Sequence, residues 1–429
     1  MPHKKIAVIG GGSAYCAGLI QSFIHEADAF AGCELALMDV DVEHLDLIHR
    51  LGQRMIAAAG ANLHLTRTTD RQEAIDGADF VLTSFRVGGF EARVLDETIP
   101  LRYGVLGHET LGPGGFFYAL RTLPTARGIT EEMTKLAPDA VLINYTNPTN
   151  IVAEAVSHYS NVQVIGLCDQ GPHDAAQVLG TLNMQPQKVE FWAAGLNHAT
   201  WSTRFRADGE DVIPLMQERA AAVIANPAAP IGIRHIFQLT SRYGRMPSFY
   251  LQYYYFRDEM LAAAQARPTC RAEDILAELP AIWTHYREQA ERERPVLTHT
   301  RGGSGFGDLA VDVLKALIHD TGDVFILNVP NGGALPEFPP DRIVEVPCRV
   351  DALGPTPLAQ PPLAAEVRGL LLMLSEYQAL AAHVGWEGTR REAILALASN
   401  PLVLSLSKAE ALYDDLAAAH QRYLPRRLW

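Results

Sequence analysis

The sequence predicts an α/β fold: a doubly wound parallel sheet followed by a mixed α+β region. Three observations support this class. Short apolar runs alternate with helical patterns over roughly the first 170 residues, a glycine-rich turn follows the first run, and the periodicity changes near residue 190. Strands that alternate with helices are typical of a parallel sheet, whose ligands collect at the carboxyl ends of the strands.

The apolar runs of the N-terminal region predict its strands. They are "KIAVIG" (5–10), "ELALMDVD" (34–41), "FVLTSF" (80–85), "AVLINYTNP" (140–148) and "VQVIGLCD" (162–169). Helical patterns follow the first strand through Ala27 and also cover 42–59 and 71–79. Asn147, Cys168 and Asp169 come at strand ends, so we expect them at the ligand-binding edge of the sheet.

The rest of the chain has a different organisation. "VEFWAAGLNHATW" predicts a strand and a loop, much of 210–300 is helical, and "DVFILNVPNGG" and "RIVEVPCRV" predict later strands. Ala and Leu recur at helical spacing over 361–425, which predicts a helical tail. We therefore expect two domains, residues 1–190 and 191–429.

Composition excludes several classes of protein. The chain has 36 Lys+Arg against 49 Asp+Glu, so its overall field repels nucleic acid, and an anionic substrate would need a few local arginines. Five cysteines without a C-x-x-C pair argue against a disulfide framework. No secretory signal and no apolar run of about 18 residues is evident, so we expect a cytoplasmic protein without membrane association.

The turn "GGGSAY" (10–15) predicts a nucleotide site in a Rossmann-type domain. Gly10, Gly12 and Ser13 lie between the first strand and a helix, where glycine backbone approaches a pyrophosphate. Tyr15 stands where the third glycine of the usual fingerprint falls. Asp39, 27 residues after Gly12, suits a ribose hydroxyl and favours NAD over NADP. A tight turn beside a strand-terminal Asp is the alternative.

Two short phrases suggest a metal site. "GLCDQ" (166–170) and "GLNHATW" (195–201) each begin with Gly-Leu, and each places one metal-capable side chain, Cys168 or His198, shortly afterwards. A thiolate and an imidazole suit a transition ion. From the residues alone, a core thiol and a hydrogen-bonded core histidine remain the alternative.

Together these phrases resemble glycoside hydrolase family 4, the NAD- and metal-dependent glycosidases. The resemblance covers about residues 5–350 and rests on "GGGSAY", "LMDVD", "FRVGGFEAR", "DETIPLRYGVLGHETLGPGGF", "NYTNP", "GLCD", "GLNH", "YLQYYYF", "RAEDI", "RGGSG" and "VPNGG". It implies NAD in the first domain and Mn²⁺, or another divalent transition ion, on Cys168 and His198. It also implies a second domain, binding metal and substrate, similar to the C-terminal domain of lactate and malate dehydrogenases, and a homo-oligomer.

The resemblance also implies a reaction and its residues. An O-glycosyl bond is cleaved by oxidation at C3, removal of the C2 proton, elimination and addition of water. Tyr250 in "FYLQYYYF" matches the base, Asp169 matches the general acid of some members, and Asn147 matches a substrate contact. The alternatives are an aromatic core face for the tyrosines, a helix N-cap for Asp169 and a turn for Asn147.

Two arginines indicate the substrate. Arg93 in "FRVGGFEAR" and Arg271 in "CRAEDI" resemble the members that bind a sugar 6-phosphate, which guanidinium groups suit. Surface arginines paired with nearby Glu are the alternative. His108 in "GHET" stands where the family often has Gln, so the sugar and its anomer stay open.

Two other functions fit part of the sequence. An NAD-dependent dehydrogenase of small 2-hydroxy acids would use the same scaffold and explain the glycine-rich turn and Asp39. A nicotinamide-binding regulatory module would also explain them. Both leave Cys168, His198 and the tyrosine-rich phrase without a role, so the sequence favours a 6-phospho-glucosidase.

Overall fold

The computed structural model describes residues 3–301 and 307–429, and these form one mixed sheet flanked by helices. Its strands are β1 (Lys5–Ile9), β2 (Glu34–Met38), β3 (His64–Thr68), β4 (Phe80–Thr83), β5 (Val141–Asn144), β6 (Val164–Gly166), β7 (Val189–Leu196), β8 (Ala199–Ala207), β9 (Glu210–Asp211), β10 (Asp323–Pro330), β11 (Ile343–Asp351) and β12 (Gly354–Pro357).

The helices cover both faces of this sheet. They are α1 (Cys16–His25), α2 (Val42–Ala59), α3 (Arg71–Ile75), α4 (Gly89–Thr98), α5 (Gly112–Leu136), α6 (Thr149–Tyr159), α7 (Gln170–Thr181), α8 (Ile213–Ala225), α9 (Ile231–Tyr243), α10 (Gln252–Tyr255), α11 (Arg257–Ala266), α12 (Arg271–Ala290), α13 (Asp308–His319), α14 (Ala365–Trp386), α15 (Arg390–Ser399) and α16 (Leu406–His420). Short 3₁₀ helices cover Pro100–Tyr103, Phe249–Leu251, Gln421–Tyr423 and Arg426–Leu428.

The sheet has a parallel half and an antiparallel half. Strands β3-β2-β1-β4-β5-β6 pair in parallel in that order. Strand β6 then pairs with β10, and the order continues antiparallel as β10-β11-β7-β8-β9, with β12 on β11. The predicted α/β class is confirmed. The predicted boundary between residues 190 and 191 falls inside β7, and the division into two domains stays a prediction.

The central strands are apolar on both faces because helices cover both. On β1, Ile6 and Val8 belong to one core cluster, while Ala7 and Ile9 belong to the other. Successive side chains of a strand point to opposite faces, so a strand buried on both sides has a continuous apolar run rather than an alternating one. Because β4, β5 and β6 pair in parallel, their carboxyl ends lie together at one edge of the sheet.

Several predicted elements match the structure closely, and others are shorter. Helix α2 has the predicted bounds, since Asp41 accepts a hydrogen bond from the His44 amide at 3.1 Å and Gly60 ends the helix at φ +65°. Helix α3 ends before residue 79 because Gly77, at φ +66°, turns the chain away. Helix α1 ends at His25 rather than Ala27.

Two further expectations concern particular segments. Of the phrase "RGGSG", Arg301 belongs to the described residues, and the remaining four lie outside them. No helix in 3–301 or 307–429 combines the length and apolarity that a membrane crossing would require.

A buried ion pair connects helices beside the carboxyl edge. Arg121 on α5 donates to both carboxylate oxygens of Asp96 on α4, at 2.8 and 2.6 Å, and both side chains are fully buried. His420 Nε2 at the end of α16 lies 2.9 Å from the same carboxylate. Burial opposes ionisation of Asp96, but the Arg121 guanidinium holds its pKa below the usual value. The pair therefore ties the tail helix to the core of the N-terminal region.

We predict that Asp96→Ala lowers the free energy of unfolding by about 3–5 kcal/mol, because Arg121 would remain charged and buried without its partner. Urea denaturation followed by circular dichroism measures this loss. The control is Glu131→Ala, which breaks the exposed pair with Arg127 (2.9 Å) and should cost less than about 1 kcal/mol. Equal losses in the two variants would contradict the role given to Asp96.

Candidate active site

The glycine-rich turn lies against the end of β2 as a preformed cradle. The Gly12 amide donates to Asp39 Oδ2 at 2.9 Å, and a Cβ on Gly12 would lie only 3.0 Å from that oxygen. Gly10 has φ +99°, and a Cβ there would overlap the Ser84 carbonyl oxygen at 2.2 Å. Ser13 Oγ accepts a hydrogen bond from the Tyr15 amide at 3.1 Å. The structure thus brings Gly10, Gly12, Ser13 and Asp39 together at the start of α1.

This cradle fits a dinucleotide. Glycines allow the tight turn between β1 and α1, and Asp39 stands at the strand end where a ribose hydroxyl would bind. Within the described residues, no side chain caps the N-terminus of α1, a helix end that favours a bound anion.

Cys168 and His198 come together although 30 residues separate them. Cys168 follows β6, and His198 lies in the two-residue turn between β7 and β8. The distance from Cys168 Sγ to His198 Nε2 is 3.5 Å. His198 has φ +63°, a conformation that costs a non-glycine residue on the order of 1 kcal/mol. The surrounding hairpin therefore holds the imidazole in this position.

The two side chains fit a divalent transition ion. Burial lowers the pKa of His198 to about 3, so its imidazole is neutral and keeps one nitrogen lone pair. Burial raises the pKa of the Cys168 thiol, and the Gln170 amide and Asn197 side chain hydrogen-bond to it. The described residues contain no group of three or more His, Cys, Asp or Glu side chains placed for a metal, so the other positions of an ion would take other donors.

A row of paired residues across four strands holds Cys168 and His198 in register. Gly166 of β6 pairs with Asn328 of β10, Asn328 with Glu345 of β11, and Glu345 with Gly195 of β7. Glu345 Oε1 accepts from Asn328 Nδ2 at 3.0 Å and from Asn197 Nδ2 at 3.1 Å. Burial raises the pKa of Glu345 to about 7. Asn328 Nδ2 also donates to the Gly166 carbonyl at 3.3 Å, so Asn328 and Glu345 together connect the strand before Cys168 to the turn that carries His198.

Tyr250 has different surroundings from Tyr254 and Tyr255, while Tyr253 stacks on it with the ring centroids 6.2 Å apart. The Tyr250 ring stacks on His198 with the centroids 3.8 Å apart, whereas Tyr254 and Tyr255 pack against the main core cluster. Burial, with negative charge nearby, raises its phenol pKa well above 10. Asp174 on α7 accepts from the Phe249 amide at 2.8 Å and so fixes the 3₁₀ turn that carries Tyr250.

Asp169 and Asn147 lie at the same edge with different partners. Asp169 occupies the N-cap position of α7, but its carboxylate makes no capping bond and instead accepts from the Tyr145 hydroxyl at 3.2 Å. Burial raises its pKa to about 6. Asn147 Oδ1 accepts from the Thr149 amide at 3.3 Å. This is the turn geometry that the sequence indicated as the alternative to a substrate contact.

The two predicted phosphate-binding arginines differ in exposure. Arg93 is buried, with Nε donating to Glu97 at 2.6 Å and Nη1 donating to Glu109. Arg271 is about half exposed, 3.5 Å from Glu278, at the start of α12. The next amide of that helix donates to Glu97 at 2.9 Å, which brings the two arginines to one region. Their role with phosphate stays a prediction.

Glu109 is the charged centre of this region. It accepts from Arg86 at 2.7 Å and from Arg93, and despite burial these guanidinium groups lower its pKa to about 2. It is therefore ionised and held rigidly. Arg86 and Arg93 each use a guanidinium N–H group in this pairing with Glu109.

A cavity of about 440 Å³ opens beside Cys168. Phe191, Trp192 and Phe325 form part of its wall, and the Arg204 guanidinium lies 4.0 Å from the Trp192 ring. Among the predicted site residues, Cys168 alone lines this cavity, so the cavity by itself does not locate the substrate.

Sequence reasoning missed five residues of this site. They are Glu109, Thr110, Asn197, Asn328 and Glu345. A signal existed for Glu345, because a carboxylate inside the apolar strand "RIVEVPCRV" must be buried and needs partners. Its partners could not be identified, since they come from other strands.

Comparisons with known proteins cover nearly the whole chain. Residues 5–181 match the family model "Family 4 glycosyl hydrolase", and residues 193–403 match "Family 4 glycosyl hydrolase C-terminal domain". A "Probable 6-phospho-beta-glucosidase" of Bacillus subtilis is 35% identical, covering 98% of this chain and 97% of the relative. A "6-phospho-beta-glucosidase" of Escherichia coli is 32% identical over 98% and 96%.

Solved structures are similar over the same length. A 6-phospho-α-glucosidase from gut microorganisms, in complex with NAD and Mn²⁺, has a TM-score of 0.88 and 25% identity, covering 99% of both chains. A 6-phospho-β-glucosidase of Thermotoga maritima, with manganese, NAD⁺ and glucose-6-phosphate, has a TM-score of 0.87 and 26% identity over 98% and 99%. Malate dehydrogenase of Plasmodium falciparum, at 14% identity, TM-score 0.56 and coverage of 90% and 100%, shares the fold alone.

We predict that Glu345→Gln makes the metal-free protein less sensitive to alkaline pH. A carboxyl whose pKa rises from 4.5 to about 7 on folding binds more protons in the folded state, so its contribution to stability falls as pH rises through that window. Between pH 5 and pH 8 the wild type should lose about 2–3 kcal/mol relative to the variant. Urea denaturation across this range in chelator measures the difference. Parallel curves would contradict the assignment.

Proposed function

The chain belongs to family 4 of the glycosyl hydrolases and is a glycosidase acting on O-glycosyl bonds; from this premise we propose that its substrates are 6-phospho-glucosides. The observation that carries the proposal is the Cys168–His198 pair, 3.5 Å apart at the edge where the glycine-rich cradle also lies. A simple hydroxy acid dehydrogenase on this scaffold would give that pair no role.

The proposed cofactors are NAD and Mn²⁺. Gly10, Gly12, Ser13 and Asp39 would hold the dinucleotide, and Cys168 with His198 would hold the ion. When bound, the two would supply a hydride acceptor for C3 of the sugar and a Lewis acid beside the sugar oxygens.

The proposed chemistry of the chain's own residues begins with Tyr250. Its phenolate would remove the C2 proton of the C3-oxidised sugar, after which the C1–O bond breaks and water adds. The ring's stacking on His198 supports this role, because it holds the phenol beside the predicted ligands. Burial and nearby negative charge raise the pKa of this phenol, so its action as a base requires a cation nearby. We propose Asp169 as the donor to the leaving oxygen and Asn147 as a substrate contact.

The 6-phosphate is proposed to bind near Arg93 and Arg271. The glucose-6-phosphate bound to the Thermotoga maritima enzyme supports a phosphorylated sugar. Of the two arginines, Arg271 offers the more accessible donors, since Arg93 is buried against Glu97 and Glu109. We therefore propose that Arg271 contacts the phosphate and that Arg93 orients the surrounding carboxylates. The homo-oligomer and the cytoplasmic location stay predictions.

We predict hydrolysis of nitrophenyl 6-phospho-glucosides in the presence of NAD⁺ and Mn²⁺, and none after chelator treatment until Mn²⁺ is restored. The panel contains α and β anomers, each with and without the phosphate, and release of nitrophenol is the measurement. Equal rates on unphosphorylated sugars would contradict the substrate proposal. Stoichiometric accumulation of NADH with a 2-hydroxy acid, indifferent to chelator, would contradict the glycosidase chemistry.

We predict that Tyr250→Phe lowers kcat by roughly 10²–10⁴-fold while the fold is retained, because the ring packing remains and only the phenolic oxygen is lost. Wild-type product formed in D₂O should carry deuterium at C2. Tyr255→Phe is the matched control, since that ring packs against Trp201 and Tyr243, and its kcat should stay near the wild-type value. Deuterium at C2 in Tyr250→Phe at the wild-type rate would show that another group is the base.

A further inference from the structure

The loop before α5 makes direct contact with His198. Thr110 Oγ1 lies 2.9 Å from His198 Nδ1 and 3.2 Å from His108 Nδ1. The three side chains thus form a chain of hydrogen bonds that ends at the imidazole facing Cys168. Neither the sequence motifs nor the proposed reaction assigns a role to Thr110 or His108.

The Thr110 amide fixes the state of His108 Nδ1, and the geometry allows the Thr110 hydroxyl to complete the network. The Thr110 amide donates to His108 Nδ1 at 3.2 Å, so that nitrogen must be unprotonated and can only accept. The Thr110 hydroxyl, 3.2 Å from the same nitrogen, can share that one lone pair, and its single proton then points to His108 rather than to His198. Its oxygen then accepts from His198 Nδ1–H. A neutral imidazole carries one N–H, so Nε2 of His198 is left with its lone pair.

We infer that Thr110 and His108 are positioning residues that fix the tautomer of His198 and direct its Nε2 lone pair towards Cys168. The inference rests on the proposed function, because it concerns the site proposed for the ion. In a metal-binding imidazole, a hydrogen bond to the second nitrogen fixes the ring orientation and the tautomer. The Thr110 hydroxyl can accept this bond while its own proton is donated to His108.

The packing around His108 keeps its ring in place. Its centroid lies 5.3 Å from that of Tyr250 and 5.1 Å from that of Tyr253, so the same two tyrosines that border the site also restrain the acceptor. Tyr250 stacks on His198 in turn. His108 and His198 therefore share one aromatic neighbour and one hydroxyl, and moving either ring would disturb the other.

Metal affinity of the intact, chelator-stripped chain tests the inference. Binding of Mn²⁺ is measured by electron paramagnetic resonance of the free ion, and Co²⁺ absorption reports thiolate coordination. Thr110→Val keeps the shape but loses the hydroxyl, so its Kd for Mn²⁺ should rise about 10- to 100-fold, whereas Thr110→Ser should stay within about threefold of wild type. His108→Asn, which keeps an acceptor oxygen, should bind more tightly than His108→Leu.

A matched control removes a buried hydroxyl elsewhere. Thr122 Oγ1 on α5 is buried and has no hydrogen-bond partner in the described part of the chain, so Thr122→Val should leave the Kd unchanged. The inference is overturned if Thr110→Val binds Mn²⁺ like wild type, or if Thr110→Ser weakens binding equally. Cys168→Ser distinguishes a failure of this inference from a failure of the proposed function. If this variant binds Mn²⁺ as tightly as wild type, the proposed metal site itself is wrong.

Discussion

The hydrogen bonds of the Glu345 carboxyl group organise the site. Asn328 and Asn197 both donate to it, from β10 and from the turn after β7. The parallel and antiparallel halves of the sheet meet between β6 and β10, where Asn328 pairs with Gly166, and Glu345 holds the Asn328 side chain from the next strand. An apolar residue there would leave two buried amides without an acceptor, which costs more than the hydrogen bonds themselves contribute.

The row of paired residues from Gly166 through Asn328 and Glu345 to Gly195 explains the two Gly-Leu phrases of the sequence. Gly166 and Gly195 are its two ends, and each is followed within three residues by a predicted ligand, Cys168 or His198. A Cβ on Gly166 would lie 2.8 Å from the Asn328 Cβ, and one on Gly195 would lie 2.4 Å from the Ala199 carbonyl oxygen. Close packing at both ends therefore requires glycine, and it sets the approach of the thiol and the imidazole.

The electrostatics of the site combine neutral imidazoles with fixed charges. His198 and His108 are both held neutral by burial, with pKa values of about 3 and 4, while Glu109 is ionised between Arg86 and Arg93. The neutral His198 ring therefore keeps a lone pair for an ion, and the negative charge of Glu109 is balanced by the two arginines. A divalent ion would thus meet neutral donors and one thiol, whose proton leaves as the ion binds.

The sequence by itself determined the α/β class, the glycine-rich cradle with Asp39, the strand-end positions of Cys168 and Asp169, and the family, because periodicity and short phrases are local properties of the chain. It could not assign Glu345 to Asn197, Thr110 to His198 or Arg93 to Glu109, since those partners lie 148, 88 and 16 residues apart. It matched Tyr250 to the base by resemblance, but it could not show that this ring stacks on His198. Only the tertiary structure decided these contacts, because a buried polar group is satisfied by whichever strand or loop the fold brings within about 3 Å, and that distance is not encoded by any local pattern.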